Sequence, residues 1–247
     1  MSTDRREFLG TLLAAGALPL VGQTGTAGGG PADQQLARLV RGELRSSPMV
    51  GGVDFGASVR RADWDVAWAE KLNGKHRAVF DNVELSMGLG LLRALIWMND
   101  YAEVYQTPAA DMNAVVVLRH NAIWMIMDDE FWAHHNIGAL TKINDPKTKL
   151  PIKRNPVLGP NVVGLPAALA DDALRKVLSS ATVLACNLAF TLDVVDKVKT
   201  DMKLDDAKAH EMALKHVIPG VTLQPSGVFA VLRAQEAGCQ YVLATDA

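Results

Sequence analysis

Residues Ala114-Val115-Val116-Val117-Leu118 form an unbroken apolar run rich in β-branched side chains. A strand with one wetted face alternates apolar and polar residues, whereas a strand covered on both faces reads as a continuous apolar stretch. This run therefore predicts a strand buried on both sides, and such a strand needs two layers of cover. Four further short runs qualify as strands: His76–Asn82, Ala181–Ala185, Val221–Gln224 and Gln240–Ala244. Helical spacing fills the gaps between them. Leu89, Leu92, Leu95, Ile96 and Asn99 follow Ser86, which is placed to cap a helix reaching about Val104. Further helices are expected around Leu188–Lys199 and Asp205–His216, and from a Ser226 cap to about Ala237. Strands alternating with helices argue for an α/β domain built on a mainly parallel sheet.

Ahead of this pattern the chain reads differently. Asp4-Arg5-Arg6-Glu7-Phe8-Leu9 is followed by an uncharged stretch from Gly10 to Val21 and by the small residues Gly25-Thr26-Ala27. Paired arginines, a moderate apolar run and a small-residue site, in that order, form the pattern of a twin-arginine export signal. A buried helix beginning at Arg5 is the alternative reading. The run is shorter and more Gly/Ala-rich than the ~20 apolar residues of a membrane span. Residues 1–27 are thus expected to be a signal peptide, 28–74 a linker with a helical extension, and 75–247 the α/β domain. The expected location is the periplasm. In the extension, Leu36, Leu39, Val40 and Leu44 keep helical spacing, residues 46–58 read as irregular, and Trp64 and Trp68 stand one turn apart, fit to pack against the main domain.

The formal net charge of −2 gives no electrostatic footprint for nucleic acid, and no second long apolar run argues for a membrane span in the mature chain. His120 to Leu140 is rich in aromatics and methionine, Asn144–Thr148 reads as a turn, and Pro151–Pro166 as an extended proline-rich loop. A loop of that length inside a domain commonly forms a lid, a subunit contact or a site wall.

Ligands of open α/β sheets bind beyond the carboxyl ends of the strands. Those ends carry Asp81 and Asn82, then Arg119 and His120, then Cys186 and Asn187, then Pro225, Ser226 and Gly227 at a helix N-terminus. The set combines a thiol, a guanidinium, an imidazole and free helix N–H groups that favour an anion. Thiolate is the reactive form of cysteine, and positive surroundings favour it. This is the basis for expecting a reactive sulfur at Cys186. Buried cysteine is also common core filler, and that reading stands beside the first. Cys239 opens the last strand and should lie on the opposite rim, ~17 Å away and beyond disulfide reach. Arg119-His120 would serve equally to satisfy loop carbonyls, and Gly227 to allow close helix–strand packing.

Other motifs fail. Gly88-Leu89-Gly90 resembles the start of a dinucleotide fingerprint, but Arg93 stands where a third glycine is needed. No Walker A sequence, Cys-x-x-Cys pair or c-type haem motif occurs. His210-Glu211 has no histidine one turn on, and His134-His135 are adjacent. Haem ligation by His120 or His134 has no positive signal, so no metal or cofactor is assigned.

Cys186 after the third strand, and the closing run Ile218–Val228 with Leu232, Gln235, Gly238 and Tyr241, resemble the DsrE/DsrF-like sulfur-relay family over about residues 75–245. The resemblance is nearer to an exported branch of that family. It extends to Gly74–Asp81 (Gly-Lys-His-Arg-x-Val-Phe-Asp), the Arg119-His120 pair, and Lys142–Pro146 with Arg154–Pro156. It implies a flavodoxin-like three-layer domain with a five-stranded sheet that forms homo-oligomers. It also implies that Cys186 carries a persulfide, exchanged with a small sulfur-containing ligand or a sulfur-transfer partner. On this reading Cys186 is catalytic, while Arg119, His120, Asn82, Asn187, Ser226 and Gly227 bind substrate. The chain departs from the compact relay subunits in its export signal and its long Asp111–Pro166 region. The rival expectation is a non-catalytic periplasmic ligand-binding or homo-oligomeric assembly protein, with Cys186 inert and Trp124–Trp132 forming a pocket or contact.

Overall fold

The computed structural model describes residues 64–160 and 171–244. The export segment, the linker, the helix expected at residues 34–44 and the irregular stretch at 46–58 lie outside the described residues, as does part of the proline-rich loop. Five strands form one sheet: β1 (His76–Asn82), β2 (Met112–Leu118), β3 (Thr182–Cys186), β4 (Thr222–Gln224) and β5 (Gln240–Leu243). Their order is β4-β3-β2-β1-β5, and every pairing is parallel. Eight α-helices accompany them among the described residues: α1 (Leu89–Tyr105), α2 (Asp129–His134), α3 (Ile137–Leu140), α4 (Ala173–Leu178), α5 (Asn187–Ala189), α6 (Asp196–Met202), α7 (Asp206–Lys215) and α8 (Gly227–Glu236).

The order of strands explains the layers. From β1 through β4 each step moves the same way across the sheet, so right-handed crossovers fall on one face. The return from β4 to β5 passes back beyond β1 and puts α8 on the other face. The side chains follow this division. Ala78, Phe80, Ala114, Val116, Leu118, Val183 and Ala185 enter a large core with Leu91, Leu92, Leu174, Phe190, Val198 and Ala213. Val79, Val115, Val117 and Leu184 enter a smaller core with Ala230, Val231 and Ala234 of α8 and with Trp68, Ala69 and Leu72. The domain is a three-layer, flavodoxin-like α/β fold. Both cores include side chains of β2, as its continuous apolar run requires.

Three elements differ from expectation. The helix after β1 starts at Leu89, because Ser86, Met87 and Gly88 all take positive φ (37°, 52° and 82°), and Gly88 rather than Ser86 stands at its N-cap. The turn must be this tight because α1 closes onto the end of β1: a Cβ on Gly90 would collide with the Asn82 side-chain oxygen. The Trp64–Trp68 region forms only a 3-10 turn, Ala67–Lys71, yet Trp68 is 5% exposed and packs on the sheet. The helix after β3 is composite, with a π segment at Phe190–Val195 between α5 and α6.

The segment after β2 is a packed block. It opens with a 3-10 run, His120–Ile126, and buries Ile123, Met125, Ile126, Met127, Phe131 and Trp132 completely. Trp132 Nε1 donates to the Trp124 carbonyl at 2.9 Å. The Asn155 side-chain amide donates to the carbonyls of Met125 and Met127 at 2.8 and 2.7 Å, and its backbone N–H donates to Asp129 at 2.8 Å. These bonds fasten the start of the proline-rich stretch beneath the block, since a buried carbonyl without a partner is costly.

Candidate functional site

Parallel pairing brings every strand's carboxyl end to one rim. The register aligns Asn82 with Leu118, Leu118 with Ala185, and Cys186 with Gln224. Asn82, Arg119, His120, Cys186, Asn187, Ser226 and Gly227 therefore share that edge. Cys239 precedes β5 and sits at the opposite end of the sheet. Both cysteines are buried and unbridged, and burial pushes the Cys239 thiol up.

The best-ordered polar group on the rim is an ion pair. Asp81 is 2% exposed and receives two parallel bonds from Arg119, Nε to Oδ1 at 2.7 Å and Nη2 to Oδ2 at 2.9 Å. Tyr241 donates its hydroxyl to the same Oδ2 at 3.0 Å. The hydrogen bond to Asp81 raises the Arg119 pKa against the opposing effect of burial. Burial first, and then the bond to Asp81, push the Tyr241 phenol up. The Arg119 stem lies on the first turn of α8: a Cβ at Gly227 would come within 2.6 Å of it. Ser226 is occupied as the helix cap, its Oγ accepting from the Phe229 N–H at 3.1 Å. Sequence alone carried Asp81 to the rim and marked Tyr241 within the closing run, but gave no sign that Tyr241 bonds to Asp81 from 160 residues away.

Cys186 ends β3 and caps the composite helix. Its Sγ accepts a hydrogen bond from the Ala189 N–H at 3.4 Å, and the residue is 6% exposed. Arg119 lies within electrostatic reach of the sulfur. Two buried acceptors flank it in the chain and across the ladder. Asn187 Oδ1 and Gln224 Oε1 have no hydrogen-bond partner among the described residues. Asn82 is drawn into the fold, its side-chain amide donating to the Phe80 carbonyl at 3.0 Å. His120 is exposed, takes a left-handed φ of 48°, and faces Asp193 electrostatically.

Beside this group is a cleft of about 770 Å³. Its walls come from the β1–α1 turn (Glu84, Leu85, Ser86, Met87), from Asn121 and Trp124, from Leu140, Thr141 and Ile143, and from Leu192, Asp193, Asp196, Lys197 and Thr200. Cys186 and Arg119 do not line it. Asn121, Trp124, Leu140, Thr141 and Ile143 thus form one wall from the segment after β2, while no described residue of the Pro151–Pro166 loop lines the cleft. Residue spacing gave no signal for the cleft, because the π turn that presents Leu192 and Asp193 has no sequence signature.

Among the described residues no group of three or more His, Cys, Asp or Glu side chains is placed to hold a metal ion. Neither is any described helix long and apolar enough to cross a membrane. Comparison with protein-family models, with curated proteins and with solved structures gives no match to this chain.

Proposed function

We propose that this chain is an exported DsrE-like protein that carries sulfur as a persulfide on Cys186. The observation that supports the reading is the position of Sγ: at the carboxyl rim, at the first N–H groups of a helical run, and within reach of the Arg119 charge. In the proposed exchange the Cys186 thiolate attacks the outer sulfur of a donor persulfide R–S–SH. A new S–S bond forms on Cys186, the donor's own S–S bond breaks, its inner sulfur departs as the thiolate RS⁻, and the outer sulfur keeps its proton. Arg119 and the N-terminus of α8, capped by Ser226 and opened by Gly227, face an anionic donor. His120 and Asn187 complete the wall, and Asn82, expected among the binding residues, lies behind it with its amide on the Phe80 carbonyl.

Exported and oligomeric states belong to the same proposal. Val228, Leu232, Tyr241 and Leu243 leave an apolar surface on α8 and β5 that are 46–59% exposed, and a second copy would cover it. Intact mass of native protein from the periplasm tests the reading. Sulfur loading adds about 32 Da (one sulfur atom, the persulfide rung). Cys186→Ser abolishes the adduct and Cys239→Ser retains it; equal loading of both variants rejects the assignment.

One observation favours a second reading. The thiol is nearly buried while the cleft lies beside it rather than over it. A non-catalytic ligand-binding protein with an inert Cys186 would copurify with an organic molecule and take up no sulfur.

A further inference from the structure

The cleft beside the rim has a mixed lining with a definite sign. Leu85 and Trp124, 7% and 5% exposed, make its inner wall, with Met87 and Ile143 beside them. Leu140 and Leu192 stand at its mouth, 51% and 60% exposed, and add apolar surface to that of the inner wall. The charged groups are Glu84, Asp193, Asp196 and Lys197. Lys197 does not balance the three carboxylates, because its ammonium contacts both oxygens of Asp201 at 2.6 Å. Glu84 takes one neutral donor, the Asn121 amide at 2.8 Å.

We propose that this cleft binds a small organic cation: a primary amine or guanidinium carried on an apolar body. The apolar body meets Trp124, Met87, Leu140 and Leu192, and the cationic head meets Asp193 and Asp196. Other ligand classes fit the lining less well. An anion would face three carboxylates. A neutral apolar molecule would desolvate those carboxylates without returning a partner, and desolvating an unpaired charge is costly. A bare metal ion lacks a set of three placed ligands among the described residues and would leave the apolar wall uncovered. Partial desolvation, and then neighbouring Asp196, push the Asp193 carboxyl up against the pull of His120, and a bound cation would offset the repulsion between the two carboxylates. The π segment Phe190–Val195 supplies Leu192 and Asp193 together. Such an insertion is a frequent means of turning functional side chains out of helical register.

The test is calorimetric titration of the full mature protein with phenethylamine, 3-phenylpropanol and 3-phenylpropionate, three molecules of similar body and different charge. The amine is expected to bind at least about tenfold more tightly than the alcohol, the least expected from one charge-assisted hydrogen bond. The carboxylate is expected not to bind. The double variant Asp193→Asn, Asp196→Asn should bring the amine down to the level of the alcohol without altering the alcohol itself. Leu192→Ser should weaken both. All three positions are exposed, so circular dichroism is expected to remain that of the parent. Equal binding of amine and alcohol, amine binding that survives the double variant, or no amine binding at millimolar concentration would each overturn the proposal. Because Cys186 does not line the cleft, sulfur loading in the double variant reports separately on the thiol.

Discussion

Asp81 and Arg119 show what a single residue contributes at this rim. The carboxylate is buried and the guanidinium partly solvated, with side-chain exposures of 3% and 20%. Deleting one partner of a buried pair leaves an uncompensated charge, which is the expensive outcome. The two deletions should differ. Arg119→Met strands a buried carboxylate with only the Tyr241 hydroxyl, and should cost about 3–5 kcal/mol in urea unfolding. Asp81→Asn leaves a guanidinium that can still turn toward water, and should cost clearly less. Equal losses would mean that the pair is not held as described. Sequence placed both residues at strand ends because strand ends follow from apolar periodicity. Their pairing was not legible, since it depends on the in-register match of strands 38 residues apart. Cys186 was similarly half legible: its rim position follows from β3, but its capping bond follows from a helix that begins immediately after the strand.

At the scale of elements, caps and ties decide what the rim can do. Ser226 accepts from the Phe229 N–H and starts α8; Ser226→Ala should cost about 1 kcal/mol, and Ser226→Asp should restore most of it. This loss should appear in thermal or urea unfolding whether or not the helix end meets a ligand. A second tie joins α2 to α6. His135, buried just beyond α2, bonds through Nδ1 to Asp201 at 2.7 Å, and Lys197 shares that carboxylate. Burial, outweighing the bond to Asp201, lowers the His135 imidazole from its ordinary 6.5. The folded state therefore keeps it neutral where the unfolded chain takes up a proton, so stability is lost as pH falls below ~6.5. His210, lowered by burial, adds a slope of the same sign. Asp201 acts further down. Burial raises it, but the bonds from Lys197 and His135 together prevail and hold it below its ordinary 3.8, so its contribution is lost only as pH falls below that value. The urea midpoint should be flat from neutrality to about pH 8, decline from pH ~6.5 downward, and decline again in alkali as the raised Cys239 and Tyr241 groups ionise first in the unfolded chain. His135→Gln should flatten part of the acid decline and leave the part due to His210; an unchanged slope would show that folding does not lower the proton affinity of His135. Strands and most helices were legible from periodicity and caps. The left-handed Ser86–Gly88 turn and the π segment were not, because each answers a packing demand set elsewhere in the fold.

The described α/β domain is an unequal sandwich. Three crossovers and the block after β2 pile onto one face of the sheet, and their side chains form the large core. The opposite face has α8 and the short turn Ala67–Lys71, which precedes the first strand in the chain. Sequence reading assigned this turn to an extension and began the α/β domain at Lys75, because the strand pattern begins there. The expected packing of Trp68 on the main domain is found, and it makes the turn part of the core: Trp68, Ala69 and Leu72 join Val79, Val115, Val117 and Leu184. Trp68→Ala should then behave as a core deletion, costing about 3–5 kcal/mol, although the residue lies outside every regular element of the sheet. The loss should come with one cooperative transition. Val115 and Val117 belong to the small core while Val116 and Leu118 belong to the large one, so β2 couples the two faces directly. A chain begun at Lys75 should unfold at still lower urea than Trp68→Ala, since it also removes Ala69 and Leu72. If Trp68→Ala were neutral, α8 alone would be sufficient cover for its face. The Arg119 stem, which rests on the first turn of α8, would then owe its position to that helix and to Asp81 rather than to the turn that precedes the sheet.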